Sequence, residues 1–238
     1  MAHVLVNRGG GSVGDDDDAT STKIRDSLAA AGIDAELELI EGQDIAERAA
    51  AIAKRGDQLL IVGGGDGSQS AAAGALAGTD TALGILPLGT LNHLARDLGI
   101  PAELDGAAAV IATGHRRRID VAELNGRVFI NNSAIGLYPL MVLDRETQQK
   151  RLGRSKRLAL LVASARTLLR FHHQRLALTA AEGQASVDTP LLFVGNNDYR
   201  IAFPAAGQRD RLDDGALCVL VLRKSTRAGF VAAALRAL

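Results

Sequence analysis

The stretch Gln58-Leu59-Leu60-Ile61-Val62-Gly63-Gly64-Gly65-Asp66-Gly67-Ser68 constrains the fold most. It begins as a short apolar run rich in branched side chains, the signature of a strand buried on both faces of a parallel sheet. It then breaks into four glycines around one aspartate, and a helical pattern follows Ser68 through Ala71, Ala72, Ala75 and Leu76. A strand, a glycine turn and a hydroxyl at a helix start make an anion site. Glycine lets the backbone approach a phosphate closely, and the free N–H groups of the helix start point at it. No Lys follows the glycines, which excludes a Walker A loop. A carboxylate beside a polyphosphate is repelled unless a cation lies between them or it takes a hydrogen bond from the ligand, so Asp66 is the informative residue. The plainer reading is a tight strand–helix turn in which Asp66 helps to cap the helix.

A second stretch repeats the arrangement. Ala82-Leu83-Gly84-Ile85-Leu86 is another buried-strand pattern, followed by Pro87-Leu88-Gly89-Thr90 and a helix through Leu91, Leu94, Ala95 and Leu98. Neighbouring parallel strands that both end in this way converge at the carboxyl edge of the sheet, where ligands of open α/β sheets bind. Asn92 could hydrogen-bond a sugar or phosphate, or serve as a satisfied amide at the helix start.

Gly64-Gly65-Asp66-Gly67-Ser68, together with Leu86-Pro87-Leu88-Gly89-Thr90-Leu91-Asn92-His93-Leu94-Ala95-Arg96-Asp97-Leu98-Gly99-Ile100-Pro101, resembles the diacylglycerol kinase catalytic domain family, which includes bacterial lipid kinases and sphingosine kinases. The first motif is shared with NAD kinases and phosphofructokinases; the second is far more specific to the lipid kinases. The resemblance extends along the whole chain and weakens after about residue 120.

Charge is distributed unevenly although its total is zero. Met1–Asp57 holds 12 acidic and 6 basic residues, a net of −6, whereas Arg116–Arg175 holds 13 basic and 4 acidic residues, a net of +9. The second block could face an anionic surface. An aromatic content of 3% leaves little stacking surface for bases and argues against nucleic acid. The single Cys218 lies in an apolar run and reads as a small core residue, with no disulfide framework or cysteine zinc site. No run approaches the roughly 18 apolar residues of a spanning helix, and no signal peptide is visible. The expectation is a cytoplasmic protein that can lie peripherally on a membrane.

His3-Val4-Leu5-Val6-Asn7 reads as the first strand. Gly9-Gly10-Gly11-Ser12-Val13-Gly14 fits G-x-G-x-x-G, but Asp15–Asp18 would place four negative charges where a pyrophosphate sits, so a dinucleotide site is not expected. In the resembled family this region reads Asn-Pro and borders the nucleotide; Asn7 matches and Arg8 replaces the Pro. Ala35–Leu39 alternates polar and apolar, which places it near a sheet edge, and a helix over 43–54 leads into the central strand. Gly114-His115-Arg116-Arg117-Arg118 is either a solvated basic loop or a phosphate or headgroup contact. Ile119–Leu124 and Arg127–Ser133 read as strands joined at Asn125-Gly126, a hairpin signal. The basic helical region Gln148–Arg170 suits either a membrane surface or a helix packed with its charges in water. Leu191–Val194 reads as a buried strand, and an Asp-Gly turn, Asp214-Gly215, enters the next one.

These patterns give an α/β fold: an N-terminal open, mostly parallel sheet with flanking helices (residues 1–115), then a second β-rich, antiparallel sandwich-like domain (116–238). Nothing after Leu222 matches the family's Asp-Gly-Glu motif, so the second domain is expected to be incomplete. The resemblance implies an ATP-dependent lipid kinase acting on diacylglycerol or a related lipid. It implies nucleotide contacts from Asn7, Gly64, Gly65, Asp66, Gly67, Ser68, Thr90 and Asn92, with Asp66 as catalytic carboxylate. It implies Mg²⁺ held by Asp214 with the carbonyls of Arg211 and Ala216, an oxygen-only set that suits this ion. The expected partners are a lipid substrate and an anionic membrane surface, with a homodimer left open. The alternatives are an NAD kinase-like phosphotransferase and a truncated, inactive nucleotide- or lipid-binding module.

Overall fold

The apolar run ahead of the glycine loop forms β3 (Leu59–Gly64), hydrogen-bonded on one side to β1 (Ala2–Asn7) and on the other to β4 (Ala82–Pro87). With β2 (Ala35–Ile40) outside β1, the four strands make a parallel sheet in the order β2-β1-β3-β4. This computed structural model describes residues 1–9, 17–136, 173–181, 183–200 and 207–222. Most of the glycine fingerprint after Gly9, the basic region Gln148–Arg170 and the segment after Leu222 lie outside the described residues.

Side chains alternate across a strand, and β3 uses both faces. Leu60 and Val62 pack with Ile45, Ala49 and Ile52 of α2 (Ile45–Lys54) and with Ala72 and Leu76 of α3 (Asp66–Leu76). Ile61 packs on the opposite face with Ile24 and Leu28 of α1 (Asp17–Ala30) and with Ala107 and Ala108 of α5 (Leu104–Ala112). Between them in the chain, the single turn of α4 (His93–Asp97) adds Leu94 and Ala95 to a smaller cluster with Ile85, Ile130 and Leu212. The helix expected from Leu91 begins two residues later, and Leu91 itself is exposed. The wet face of β2 explains its alternation: Glu36 meets His3 at 3.2 Å and Glu38 meets Arg48 of α2 at 2.7 Å, both at the sheet edge.

The hairpin forms at Asn125-Gly126, both with positive φ as its tight turn requires, but its strands β5 (Ala122–Leu124) and β6 (Arg127–Phe129) are shorter than the sequence pattern. Residues on either side are committed elsewhere. Asp120 donates its N–H to the Leu212 carbonyl, and the Ile130 carbonyl accepts from Asn196 and Arg209.

The chain divides into two compact units, residues 1–131 with 196–217 and residues 132–195 with 218–238. The second unit carries β7 (Asn132–Gly136), antiparallel to β10 (Leu191–Asn196), with β11 (Leu217–Val221) on the far side of β10. It also carries an antiparallel hairpin of β8 (Gln174–Ala180) and β9 (Gly183–Thr189). Sequence reading misses this hairpin, because β9 is polar and largely exposed and no Asn-Gly or Asp-Gly turn announces it. Cys218 is half-buried in β11. Among the described residues no helix is long and apolar enough to cross a membrane.

Ile61 is fully buried at the centre of the sheet. Ile61→Ala is therefore expected to destabilise the chain by about 2–5 kcal/mol, measured as a lower denaturation midpoint in urea.

Candidate functional site

Strands β3 and β4 are parallel neighbours with Gly64 opposite Pro87, so the loops that follow them leave the same edge of the sheet. There the two glycine loops touch. A Cβ added to Gly89 would run into the Cα of Gly65, and one added to Gly64 would lie 2.5 Å from the Ser68 Oγ. Only hydrogen side chains permit this approach of backbone to backbone.

A cleft of about 470 Å³ opens over the contact. Asn7, Gly9, Gly42, Gly65, Gly67, Ser68, Gly89 and Thr90 line it. Five of these eight residues are glycines, so the lining is mostly backbone and can approach an anion closely. No side chain caps α3, which leaves the N–H groups of its first turn to whatever enters the cleft. Asn7 donates from Nδ2 to the buried Ser68 Oγ at 2.8 Å and accepts the Gly9 N–H at 3.0 Å, which ties β1 to α3. Gly42 makes room for that amide, since a Cβ there would lie 2.9 Å from Asn7 Nδ2. Sequence reading passed over Gly42; its only signal is a glycine at the carboxyl end of the neighbouring strand β2.

Asp66 stands first in α3, but its carboxylate reaches across to α4. Oδ2 accepts the His93 N–H and Oδ1 the Leu94 N–H, each at 3.1 Å. It thus caps the helix of the second loop rather than its own. Asn92, at the formal cap position of α4, adopts a left-handed conformation with φ 48° and caps nothing. Its amide closes its own loop instead: Oδ1 accepts the Gly89 N–H at 2.9 Å, and Nδ2 donates to the carbonyls of Pro87 and Gly89. Thr90 is exposed on the cleft wall.

A third donor to Asp66 comes from Asn131, whose Nδ2 lies 3.0 Å from Oδ1. Behind Asn131 lies Arg209. Its guanidinium donates to Asn131 Oδ1 at 2.8 Å, to the Ile130 carbonyl at 2.6 Å and to Asp97 at 2.8 Å. The side chains of Arg209 and Asp97 are 1% and 3% exposed, a buried ion pair. The Tyr199 ring covers the guanidinium at 5.3 Å. Neither Asn131 nor Arg209 is singled out by local sequence pattern.

The Asp-Gly turn is organised by Asp120. Its Oδ2 accepts the Gly215 N–H and the Asn197 Nδ2, both at 2.7 Å. These two hydrogen bonds, the Gly215 N–H first, outweigh the opposing effect of burial and, with a smaller contribution from the nearby Arg211 charge, hold the Asp120 carboxyl below its ordinary value. Asp214 pairs with the Arg211 guanidinium at 3.1 Å, and the Ala216 carbonyl accepts the Asn197 N–H at 2.9 Å. Among the described residues no cluster of three His, Cys, Asp or Glu side chains could hold a metal. One carboxylate and two carbonyls nevertheless suit a small hard cation in kind. The buried Asn197 Oδ1, without a hydrogen-bond partner among the described residues, leaves a further oxygen uncommitted beside the turn. A cation on Asp214 would take the place of the Arg211 guanidinium. In the basic loop, Arg117 pairs with Asp213 at 3.2 Å, while Arg118 meets Asp80 only at 3.9 Å in full solvent.

The family model of the diacylglycerol kinase catalytic domain matches residues 1–124. Diacylglycerol kinases of Staphylococcus aureus strains JH9 and Newman are each 28% identical over 172 residues, 71% of this chain and 54% of theirs. The chain thus spans about half the length of these relatives. A solved diacylglycerol kinase structure from Bacillus anthracis str. Sterne is 26% identical with a TM-score of 0.70, covering 97% of this chain and 76% of its own. A further solved structure from that organism is 28% identical with a TM-score of 0.76, covering 100% and 80%.

Two outcomes are expected. Gly89→Ala should force the loops apart and accelerate amide hydrogen exchange at residues 64–68 and 92–95 while leaving β1 and β2 protected. Asp120→Asn should lower stability at neutral pH. Because the folded carboxyl titrates below its ordinary value of 3.8, its contribution is complete above that value and disappears as pH falls through the lower folded one. The gap between wild type and variant in thermal melts should therefore narrow as pH falls below 3.8.

Proposed function

The chain belongs to the diacylglycerol kinase catalytic domain family, and from that premise we propose that it transfers the γ-phosphoryl group of ATP to the hydroxyl of diacylglycerol or a related lipid. The observation that carries this reading is the glycine-lined cleft over the Gly65–Gly89 contact, which offers backbone N–H groups and little side-chain bulk to a polyphosphate.

In this reading Gly64, Gly65, Gly67 and Ser68 cradle the phosphates, and the Thr90 hydroxyl contributes a donor from the second glycine loop. Asn7 orients Ser68 through their hydrogen bond, and Asn92 fixes the conformation of the loop that presents Thr90. Asp66 is the catalytic carboxylate. Its Oδ1 already takes two donors and its Oδ2 one, so a lone pair of Oδ2 remains to accept the proton of the lipid hydroxyl as its oxygen bonds the γ-phosphorus and the bond to the bridging oxygen breaks, releasing ADP. Asp214 with the carbonyls of Arg211 and Ala216 would hold Mg²⁺, which would supply positive charge to offset the negative charge of phosphate oxygens. The net +9 of Arg116–Arg175 supports approach to an anionic membrane surface, where the lipid is presented.

The test is transfer of labelled γ-phosphate from Mg-ATP into a mixed lipid extract in detergent micelles, with the 238-residue chain and its Asp66→Asn variant. Label in lipid is expected, reduced about 10²–10⁴-fold in the variant, and the labelled product identifies the acceptor. Mg-ATP binding by folded protein without any label in lipid would refute the reading and leave a binding module; label in NAD, offered in a parallel reaction without lipid, would point to the NAD kinase alternative.

A further inference from the structure

The network behind Asp66 links three parts of the chain that the local motifs treat separately. Asp66 opens the first glycine loop, Asp97 ends α4 beyond the second, and Arg209 lies just before the Asp-Gly turn. All of them, with Asn131, belong to the first compact unit. Asn131 is the joint. Its amide is used at both ends, Nδ2 donating to Asp66 and Oδ1 accepting from Arg209. Arg209 is held in place, because three further donors are spent on Asp97 and on the carbonyls of Ile130 and Asn196. It is also buried, so solvent does not compete for these bonds.

We infer that Asn131 and Arg209 are positioning residues for phosphoryl transfer. They form a fixed relay that orients the Asp66 carboxylate and holds the Arg211–Ala216 turn in register with the two glycine loops. The reasoning is geometric. The two α4 N–H groups alone would fix the Asp66 carboxylate from one side. The Asn131 amide approaches from another element and removes the rotation about its χ2 that would otherwise move the free lone pair of Oδ2. A purely structural amide would need only to satisfy Arg209, and a backbone carbonyl could do that, as those of Ile130 and Asn196 already do. The Asn131 amide offers an acceptor to the guanidinium and a donor to the carboxylate at once, on one planar group, which a backbone carbonyl cannot do.

The inference rests on the kinase reading, and the experiment separates the two. Asn131→Ala removes the donor to Asp66 while leaving Arg209 paired with Asp97. Asn131→Asp keeps the acceptor for Arg209 but sets a second carboxylate against Asp66. Asp66→Asn combined with Asn131→Asp leaves a single carboxylate in the contact and so removes the like-charge repulsion. In the lipid transfer assay, Asn131→Ala is expected to lower kcat at least tenfold with KM for ATP changed less than threefold. In thermal melts, Asn131→Asp should lower Tm, and its shift should be smaller in an Asp66→Asn background, where the like-charge contact is gone, although the double variant remains inactive. Unchanged kcat in a folded Asn131→Ala protein, or additive Tm shifts in the pair, would overturn the relay. If the wild-type chain transfers no phosphate, the kinase reading falls by itself, and the Tm cycle still decides whether Asn131 and Asp66 are coupled.

Discussion

The backbone contact between Gly65 and Gly89 is the constraint on which the site depends. A parallel sheet ends neighbouring strands on one edge, but it does not bring their loops together; any Cβ at Gly89 would hold them apart. Once they touch, the Asp66 carboxylate falls within reach of the N–H groups of His93 and Leu94. A helix of five residues such as α4 is too short to persist by itself. Its first turn is stabilised by an anion supplied from the other loop, with a cap worth about 1 kcal/mol. The second loop therefore depends on the first for its helix, and the first depends on the second for the closure of its cleft wall.

Much of this was legible in the sequence because the determinants are local. A branched apolar run, then glycine, then a small or hydroxyl residue fixes strand, turn and helix within ten positions, and it does so twice. The alternation of Ala35–Leu39 placed β2 at an edge because glutamates cannot face a buried layer, and Asn125-Gly126 marked its hairpin through the positive φ both residues adopt. The roles within the loops were less legible. Asp66 could be read as a ligand group or as a cap of its own helix, and it caps a different one. Asn92 could be read as a ligand amide or a satisfied one, and its three hydrogen bonds go to its own loop.

What the sequence hides is separated by distance along the chain. Arg209 lies 112 positions from Asp97, and Asn131 lies 65 from Asp66. An isolated arginine in a polar stretch normally belongs at the surface, and nothing in the residues around Arg209 marks it as an exception. Gly42 is equally silent, since its role is to leave room for the amide of Asn7. The hairpin β8–β9 escaped for another reason: its outer strand has little apolar content, so no hydrophobic period betrays it.

The two arginines near the Asp-Gly turn show why burial, rather than pairing, decides what a charge does. Arg211 meets Asp213 and Asp214 at 3.3 and 3.1 Å, but its side chain is well exposed, and such pairs are worth about 0–1 kcal/mol. It can yield to a competing cation at little cost. Arg209 meets Asp97 out of solvent, where loss of either partner strands a buried charge and costs about 3–5 kcal/mol. Two residues apart in the chain, one guanidinium is an exchangeable neighbour of the turn and the other an immovable pin. The pin is bonded to Asn131 behind the glycine loops, and the exchangeable guanidinium opens the turn that follows it.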